Sequence, residues 1–173
     1  MLKVESISKK INGRVILDNV SFDVNFGKIC GLLGPNGAGK TSSFYAIAGL
    51  VRSDNGCISL SDENITNMPV HKRSKLGIKY LPQEPSIFQN LTVSENLIGM
   101  AELNFNKKKD IKDFVEKSIE EFALKDICDL KGRQLSGGQR RKVEIARTLA
   151  SNPKIILLDE PFAGIDPIAI EDI

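Results

Sequence analysis

Residues 34–41 read Gly34-Pro35-Asn36-Gly37-Ala38-Gly39-Lys40-Thr41 and fit the pattern G-x-x-x-x-G-K-[ST]. The near-continuous apolar run 28–33 precedes them, and such a run predicts a strand buried on both faces. A helical pattern follows from Lys40 to Ala48, and Gly49 is a natural stop for it. The order of strand, glycine-rich loop and helix predicts a phosphate-binding loop in an α/β fold. A chance glycine-rich turn is the alternative, and this context argues against it.

The residue types in this loop suit a nucleotide polyphosphate. Glycines let the backbone wrap closely around phosphate oxygens, and the helix directs its positive N-terminal end towards them. Lys40 is expected on the β- and γ-phosphates, and the Thr41 hydroxyl is expected to bind Mg²⁺. The candidate nucleotide-binding residues of this loop are Gly34, Pro35, Asn36, Gly37, Ala38, Gly39, Lys40, Thr41 and Ser42.

A second apolar run, 155–158, predicts another buried strand and ends in two carboxylates. Asp159 at a strand end can hold Mg²⁺ through water, and Glu160 is the candidate that orients or polarises an attacking water. By itself, such an acidic pair is more often a helix cap or a solvated turn. The phosphate-binding loop in the same chain favours the catalytic interpretation.

A second glycine motif, Leu135-Ser136-Gly137-Gly138-Gln139, precedes a predicted helix. Two glycines and a Ser hydroxyl at a helix N-terminus can bind an anion, so Ser136, Gly137, Gly138 and Gln139 are further candidates for phosphate contacts. Alone, the motif would indicate only a flexible turn with an N-cap.

The rest of the chain fits an α/β protein with a helical insertion. The segments around Leu2–Ile7 and Val20–Val24 predict two antiparallel strands joined by an Asn12-Gly13 turn. Residues 57–60 predict another short strand, and residues 84–150 are mostly helical in pattern. One globular domain is the expected organisation for 173 residues.

In this order, the motifs resemble those of the ABC ATPase family, together with Gln83 after Tyr80-Leu81-Pro82 and the segment 163–166. The resemblance implies a P-loop NTPase (RecA-like) core formed by 1–83 and 151–173, with N-terminal antiparallel strands and an inserted helical subdomain at 84–150. It implies a homodimer in which residues 135–139 of one subunit close over ATP held by the other. It also implies that Gln83 contacts Mg²⁺ and the attacking water, and that Asp166 crosses the dimer interface. ATP and Mg²⁺ are the implied cofactors.

Segments 76–88, 140–147 and 159–168 resemble, more closely, the ATP-binding subunits of lipopolysaccharide exporters. That resemblance implies ATP hydrolysis at the cytoplasmic face of the inner membrane, where a homodimer drives transmembrane subunits. The ATPase subunits of branched-chain amino acid or other importers are an alternative. Soluble ABC ATPases of DNA repair or translation are another, although these usually carry long insertions or tandem cassettes.

The composition of the chain limits which partners it is expected to bind and where in the cell it is expected to act. The formal net charge of +2 is far from the basic balance typical of nucleic-acid-binding domains, so no direct nucleic-acid partner is expected. Without a signal-peptide pattern or an apolar run of about 20 residues, a cytosolic or peripheral protein is expected. Cys30, Cys57 and Cys128 match no metal-ligand spacing and are expected to be reduced and mostly in the core.

Three positions qualify the resemblance. Ile11 occupies the place where many ABC ATPases stack adenine on an aromatic ring; it could equally be a core residue at a strand end. Phe88 could pack in the core or contact a helix of a membrane partner. The switch histidine of the family would follow Ile173, so a C-terminally truncated chain of low activity is expected; His71 is expected to be a surface helix residue instead.

Overall fold

The structure is a computed structural model, and it describes residues 1–163. These residues form two compact units, one of Met1–Tyr80 with Lys154–Leu157 and the other of Leu81–Pro153 with residues 158–163. Asp166, assigned to the dimer interface by resemblance, lies outside the described residues.

The first unit contains an antiparallel sheet built around an N-terminal hairpin. Strand β1 (Leu2–Ile11) pairs with β2 (Arg14–Val24) and with β3 (Asn55–Leu60), which pairs with the short β4 (Glu63–Asn64), so the order is β2-β1-β3-β4. Asn12 and Gly13 have φ values of 49° and 80° at the hairpin turn. Two consecutive positive φ values suit the twist of a tight hairpin, so the predicted antiparallel pair and its turn are confirmed.

Two helices cover this unit. Helix α1 (Lys40–Ala48) begins directly at the glycine-rich loop and ends at Gly49, as the sequence predicted. Helix α2 (Val70–Lys75) carries Arg73, which is fully buried, whereas His71 is exposed as expected. The core combines apolar side chains of the sheet and of α1, among them Leu2, Val4, Ile7, Ala46, Ile47 and Ile58.

A second sheet contains β5 (Ile78–Leu81) and β6 (Ile155–Leu158), which confirms the predicted strand before Asp159. The Ile155 amide donates to Gly77 O, and four residues further on the Asp159 amide donates to Leu81 O. Because both partners advance in the same direction, the two strands run parallel.

The apolar run 28–33 is not a strand, and the prediction that it is buried on both faces is wrong. Ile29 and Leu33 are fully or almost fully exposed. A buried parallel strand requires hydrogen-bonded neighbours, and within residues 1–163 neither sheet includes this run. The apolar composition of residues 28–33 is that of a buried strand, but such a run becomes a strand only when it forms backbone hydrogen bonds with a neighbouring strand.

The second unit is mainly helical, in line with the helical pattern of the sequence. It contains α3 (Val93–Glu102), α4 (Lys108–Glu121) and α5 (Gly137–Leu149), with 3₁₀ turns at Lys125–Ile127 and Gly132–Gln134. Its core contains Val93, Leu97, Leu124, Val143 and Ala146, all fully buried. No helix among the described residues is long and apolar enough to cross a bilayer.

The three cysteines are free, as expected for reduced thiols. The expectation that most of them lie in the core is wrong, since Cys30 is exposed and Cys57 and Cys128 are only partly buried. Cys30 belongs to the exposed run 28–33, so its exposure has the same cause.

Candidate nucleotide-binding and hydrolysis site

The glycine-rich loop is an exposed turn held against the hairpin at its last glycine. Gly39 caps α1 with φ 89°, and a Cβ atom there would lie 2.6 Å from the Ile16 carbonyl oxygen. Both the left-handed backbone and this close approach require glycine. The position of Gly39 therefore fixes where the N-terminus of α1 meets the loop.

The Lys40 side chain folds back over the loop. Its Nζ atom donates to Gly34 O at 2.8 Å and to Pro35 O at 3.0 Å. Helix α1 has no acidic residue in its first turn, so no side chain there offsets the positive end of the helix. A backbone cradle with an ammonium group and a helix N-terminus is suited to bind an anion.

The two candidate Mg²⁺ ligands lie in different units, Thr41 in the first and Asp159 in the second. No group of three or more His, Cys, Asp or Glu side chains that could hold a metal occurs among residues 1–163. Mg²⁺ commonly binds to one or two protein oxygens and to substrate phosphates rather than in an all-protein cage. A threonine hydroxyl and a carboxylate as candidate ligands, Thr41 and Asp159, agree with that preference.

In the second unit, the 135–139 motif forms the start of α5. Ser136 is the N-cap: its Oγ accepts from the Gln139 amide at 3.2 Å, and Gln139 Oε1 accepts from the Ser136 amide at 3.0 Å. This reciprocal capping box fixes the helix start, so the predicted N-cap is present. A contact of this helix start with phosphate stays a prediction.

The two carboxylates after β6 differ in environment. Asp159 is only 4% exposed, and its amide is bound to Leu81 O, whereas Glu160 is exposed. Glu160 adopts φ 42°, a backbone conformation that non-glycine residues rarely adopt, and its carbonyl accepts from the Ala163 amide at 3.0 Å. The chain thus turns sharply at the candidate catalytic carboxylate.

Three candidate residues from separate motifs line one cavity in this unit. Gln83, Gly137 and Glu160 contribute to a cavity of about 180 Å³, with Arg140, Arg141 and Glu144 of α5 among the other lining residues. The structure therefore brings the candidate catalytic pair and part of the 135–139 motif to one place. No sequence motif had pointed to Arg141 or Glu144 as part of this region.

Arg141 and Glu144 form a buried ion pair on α5, 5% and 3% exposed. Arg141 Nε donates to Pro161 O at 3.0 Å, and Nη1 donates to Pro82 O at 2.9 Å and to Glu144 Oε2 at 3.1 Å. Glu144 Oε1 accepts from the Ser86 amide at 2.6 Å. Their i, i+3 spacing on a predicted helix was the one sequence signal for this pair.

Phe88 is half exposed, so the interpretation of its side chain as a core residue is wrong. Its backbone is fixed by the buried Asn96 side chain, which accepts from the Phe88 amide and donates to its carbonyl. The Arg147 guanidinium lies 4.6 Å from the ring centroid. Burial lowers the pKa of Arg147, and the nearby Glu144 carboxylate opposes that shift.

Ile11 is also exposed, at 45%, which excludes the core interpretation of this residue. With Leu17, Ser42, Tyr45 and Arg52 it lines a largely apolar cavity of about 220 Å³ in the first unit. The aliphatic side chain of Ile11 therefore lies at the exposed end of β1 and lines the same cavity as Ser42, the last residue of the candidate phosphate-binding segment.

A parallel strand pair that ends in an acidic dipeptide, a glycine-rich loop at a helix start and a second glycine motif on a helical unit together define an ABC-type ATP-binding domain. The ABC transporter family model matches residues 17–163. The chain therefore belongs to the ABC transporter family, as an ATP-binding domain and ATP hydrolase, and the predicted class is confirmed.

Its relatives include the "Lipopolysaccharide export system ATP-binding protein LptB" of Haemophilus influenzae, 51% identical over 178 residues. LptB of Escherichia coli K12 is 48% identical over 173 residues. The chain spans 72% of the length of each, and these matches cover 100% and 99% of the chain.

Solved structures agree with the fold. MJ1267, an ATP-binding cassette of an ABC transporter, matches with a TM-score of 0.88 and 33% identity. The match covers 99% of this chain and 73% of MJ1267. The dimeric bacterial cassette MJ0796 matches with a TM-score of 0.84 and 26% identity, and the match covers 99% of this chain and 79% of that one. The predicted α/β P-loop fold with N-terminal antiparallel strands is confirmed.

Proposed function

We propose that this protein hydrolyses Mg-ATP as a homodimer and thereby powers lipopolysaccharide export from the inner membrane. The observation that carries the proposal is the identity of about half of all residues, across the whole chain, to LptB of two species. Importers and soluble ABC ATPases share the general motifs, so those motifs do not distinguish lipopolysaccharide export from import or from a soluble ATPase function. The resemblance of segments 76–88, 140–147 and 159–168 to the exporter subunits favours export over the other two functions.

In this proposal, residues 34–42 hold the nucleotide phosphates, with the Lys40 ammonium on the β- and γ-phosphates. Thr41, Gln83 and Asp159 would hold Mg²⁺, which would offset the negative charge of the phosphates. Glu160 orients the water that attacks the γ-phosphorus and accepts its proton, and Gln83 holds the same water. The bond to the β-phosphate oxygen breaks, so the products are ADP and inorganic phosphate.

Two copies would complete the site. Ser136, Gly137, Gly138 and Gln139 of one subunit would close over ATP held by residues 34–42 of the other, which uses the amides at the capped start of α5. The solved structures of the MJ0796 cassette are dimeric, one of them bound to ADP and phosphate, which supports a dimer. We propose 1–83 with 151–173 as the nucleotide-binding part and 84–150 as the part that carries this motif.

Phe88 is the residue we propose for contact with the transmembrane subunits, at the cytoplasmic face of the inner membrane. Its ring is half exposed, but hydrogen bonds to Asn96 on both sides fix its backbone. An exposed aromatic ring on a backbone fixed in this way suits an anchor at a protein interface. No direct contact with nucleic acid belongs to the proposal.

The test of the export function is genetic replacement. A bacterium depleted of its own lipopolysaccharide-export ATPase would express this protein, and lipopolysaccharide in the outer membrane would be quantified. We expect the protein to restore delivery, whereas the Lys40→Ala variant should not. Restoration of branched-chain amino acid uptake in a matching importer mutant, without lipopolysaccharide delivery, would contradict the proposal.

The partner contact is tested by co-purification with the transmembrane subunits from detergent-solubilised membranes. Phe88→Ala should reduce capture while ATP hydrolysis by the purified protein stays near normal. Phe26→Ala, which truncates a similarly exposed ring in the first unit, is the matched control and should leave capture intact. Equal loss in both variants would exclude a specific role for Phe88.

A further inference from the structure

We infer that Arg141 is a positioning residue that sets the placement of Gln83 relative to Glu160. This inference rests on the proposed roles of Gln83 and Glu160 in hydrolysis. The Arg141 guanidinium donates to the backbone beside both residues: Nη1 donates to the carbonyl of Pro82, which precedes Gln83, and Nε donates to the carbonyl of Pro161, which follows Glu160. One rigid, planar group therefore connects the two candidate catalytic segments.

On the Gln83 side, the link is short. The carbonyl of Pro82 belongs to the same planar peptide unit as the Gln83 amide and Cα atom. A hydrogen bond of 2.9 Å from Arg141 Nη1 to that carbonyl therefore fixes the orientation of the peptide that carries Gln83. Glu144 supports the same segment three residues further on, through its 2.6 Å bond to the Ser86 amide.

On the Glu160 side, the backbone requires such support. Glu160 has φ 42°, a conformation that costs of order 1–3 kcal/mol and persists only where the surrounding contacts determine it. The ring of Pro161 locks its own φ, so only the ψ angle of Pro161 stays free between its carbonyl and the peptide bond that follows Glu160. Arg141 Nε supplies that constraint at 3.0 Å.

Glu144 holds the guanidinium in place. The ion pair is buried, and such a pair is costly to break because the remaining charge loses its partner. Lysine at position 141 would keep the charge opposite Glu144, but its single ammonium group lacks the planar fork that reaches two carbonyls at fixed angles. The Arg141→Lys variant therefore keeps the positive charge but loses the two hydrogen bonds that position the backbone.

Arg147 provides a matched control on the same helix. It is also buried, at 8% exposure, and donates to Ser86 O at 2.9 Å, but no hydrogen bond joins it to residues 159–163 after β6. Arg147→Lys should thus lower stability to a similar degree as Arg141→Lys without displacing Glu160.

The experiment measures kcat, KM and ATP affinity of the purified protein. For Arg141→Lys we expect kcat to fall about 10- to 100-fold while KM and ATP affinity change less than about threefold, since misplacement by about 1 Å can cost that much in rate. Arg147→Lys should keep kcat within about twofold. If both variants lose rate in proportion to their loss of thermal midpoint, Arg141 has only a structural role.

Chemical rescue provides a second measurement. The cavity beside Arg141 would admit guanidinium ion to Arg141→Ala, and millimolar guanidinium should raise its kcat about fivefold or more, whereas urea, with the same shape but no charge, should not. Should Arg141→Ala not fold, the Arg141→Lys kinetics decide alone. Glu160→Gln is measured in parallel: if it keeps full turnover, the proposed site fails, and if it stops turnover while Arg141→Lys keeps normal kcat and KM, only this inference is wrong.

Discussion

Lys40 Nζ lies 2.8 Å from the carbonyl oxygen of Gly34, so the side chain assigned to the ATP phosphates is hydrogen-bonded to its own loop. A second bond goes to Pro35 O. These two carbonyls are the hydrogen-bond partners of the ammonium group in this structure, and phosphate oxygens of a bound nucleotide would replace them.

Lys40→Ala should weaken ATP binding about 10- to 100-fold, because charge-assisted hydrogen bonds contribute roughly 1.5–3 kcal/mol. Its bonds lie in an exposed loop, so the thermal midpoint should stay unchanged. Isothermal titration with ATP measures the effect. Lys28→Ala, an exposed lysine in the same unit, is the control, and equal affinity in both variants would contradict the assigned role.

Glu160→Gln should keep ATP binding but slow phosphate release about 100-fold or more, because the amide cannot accept the proton of the attacking water. ATP-bound dimers should then accumulate and be visible by gel filtration with Mg-ATP. Glu63→Gln, an exposed carboxylate on β4, should behave as the unmodified protein. A Glu160→Gln variant that elutes only as a monomer would count against the dimer.

Arg73→Met should destabilise the protein by roughly 3–5 kcal/mol, because several buried carbonyls would lose their donor. The Arg73 guanidinium donates to the carbonyls of Ala46 and Ile47 at the end of α1 and to those of Thr66 and Met68. Burial lowers its pKa. Urea unfolding gives the free energy, and Lys72→Met, at an exposed neighbour, should change it by less than about 0.5 kcal/mol.

Ile11→Tyr should tighten ATP binding roughly 2- to 10-fold, since an aromatic ring adds about 0.5–1.5 kcal/mol of stacking with a base. Competition titrations with ATP and GTP would measure both affinity and preference, with Ile11→Leu as the aliphatic control. No gain from tyrosine would mean that the base does not contact the exposed end of β1.

The sequence alone determined the class of this protein and most of its local structure. Glycines with left-handed backbone requirements, such as Gly13 and Gly39, mark their turns whatever surrounds them, because only glycine adopts these conformations without cost. Ser136 and Gln139 likewise form a capping box through contacts three residues apart. Motifs made of neighbouring residues are readable because their geometry is local.

Tertiary structure decided the features that depend on distant partners. The apolar run 28–33 has the composition of a buried strand, but a strand exists only where another backbone completes its hydrogen bonds. The contacts of Arg141 with Pro82 and Pro161 join segments 59 and 20 residues away in sequence. The exposure of Ile11 and Phe88 likewise follows from packing, because side-chain type limits burial but contacts between distant elements determine it.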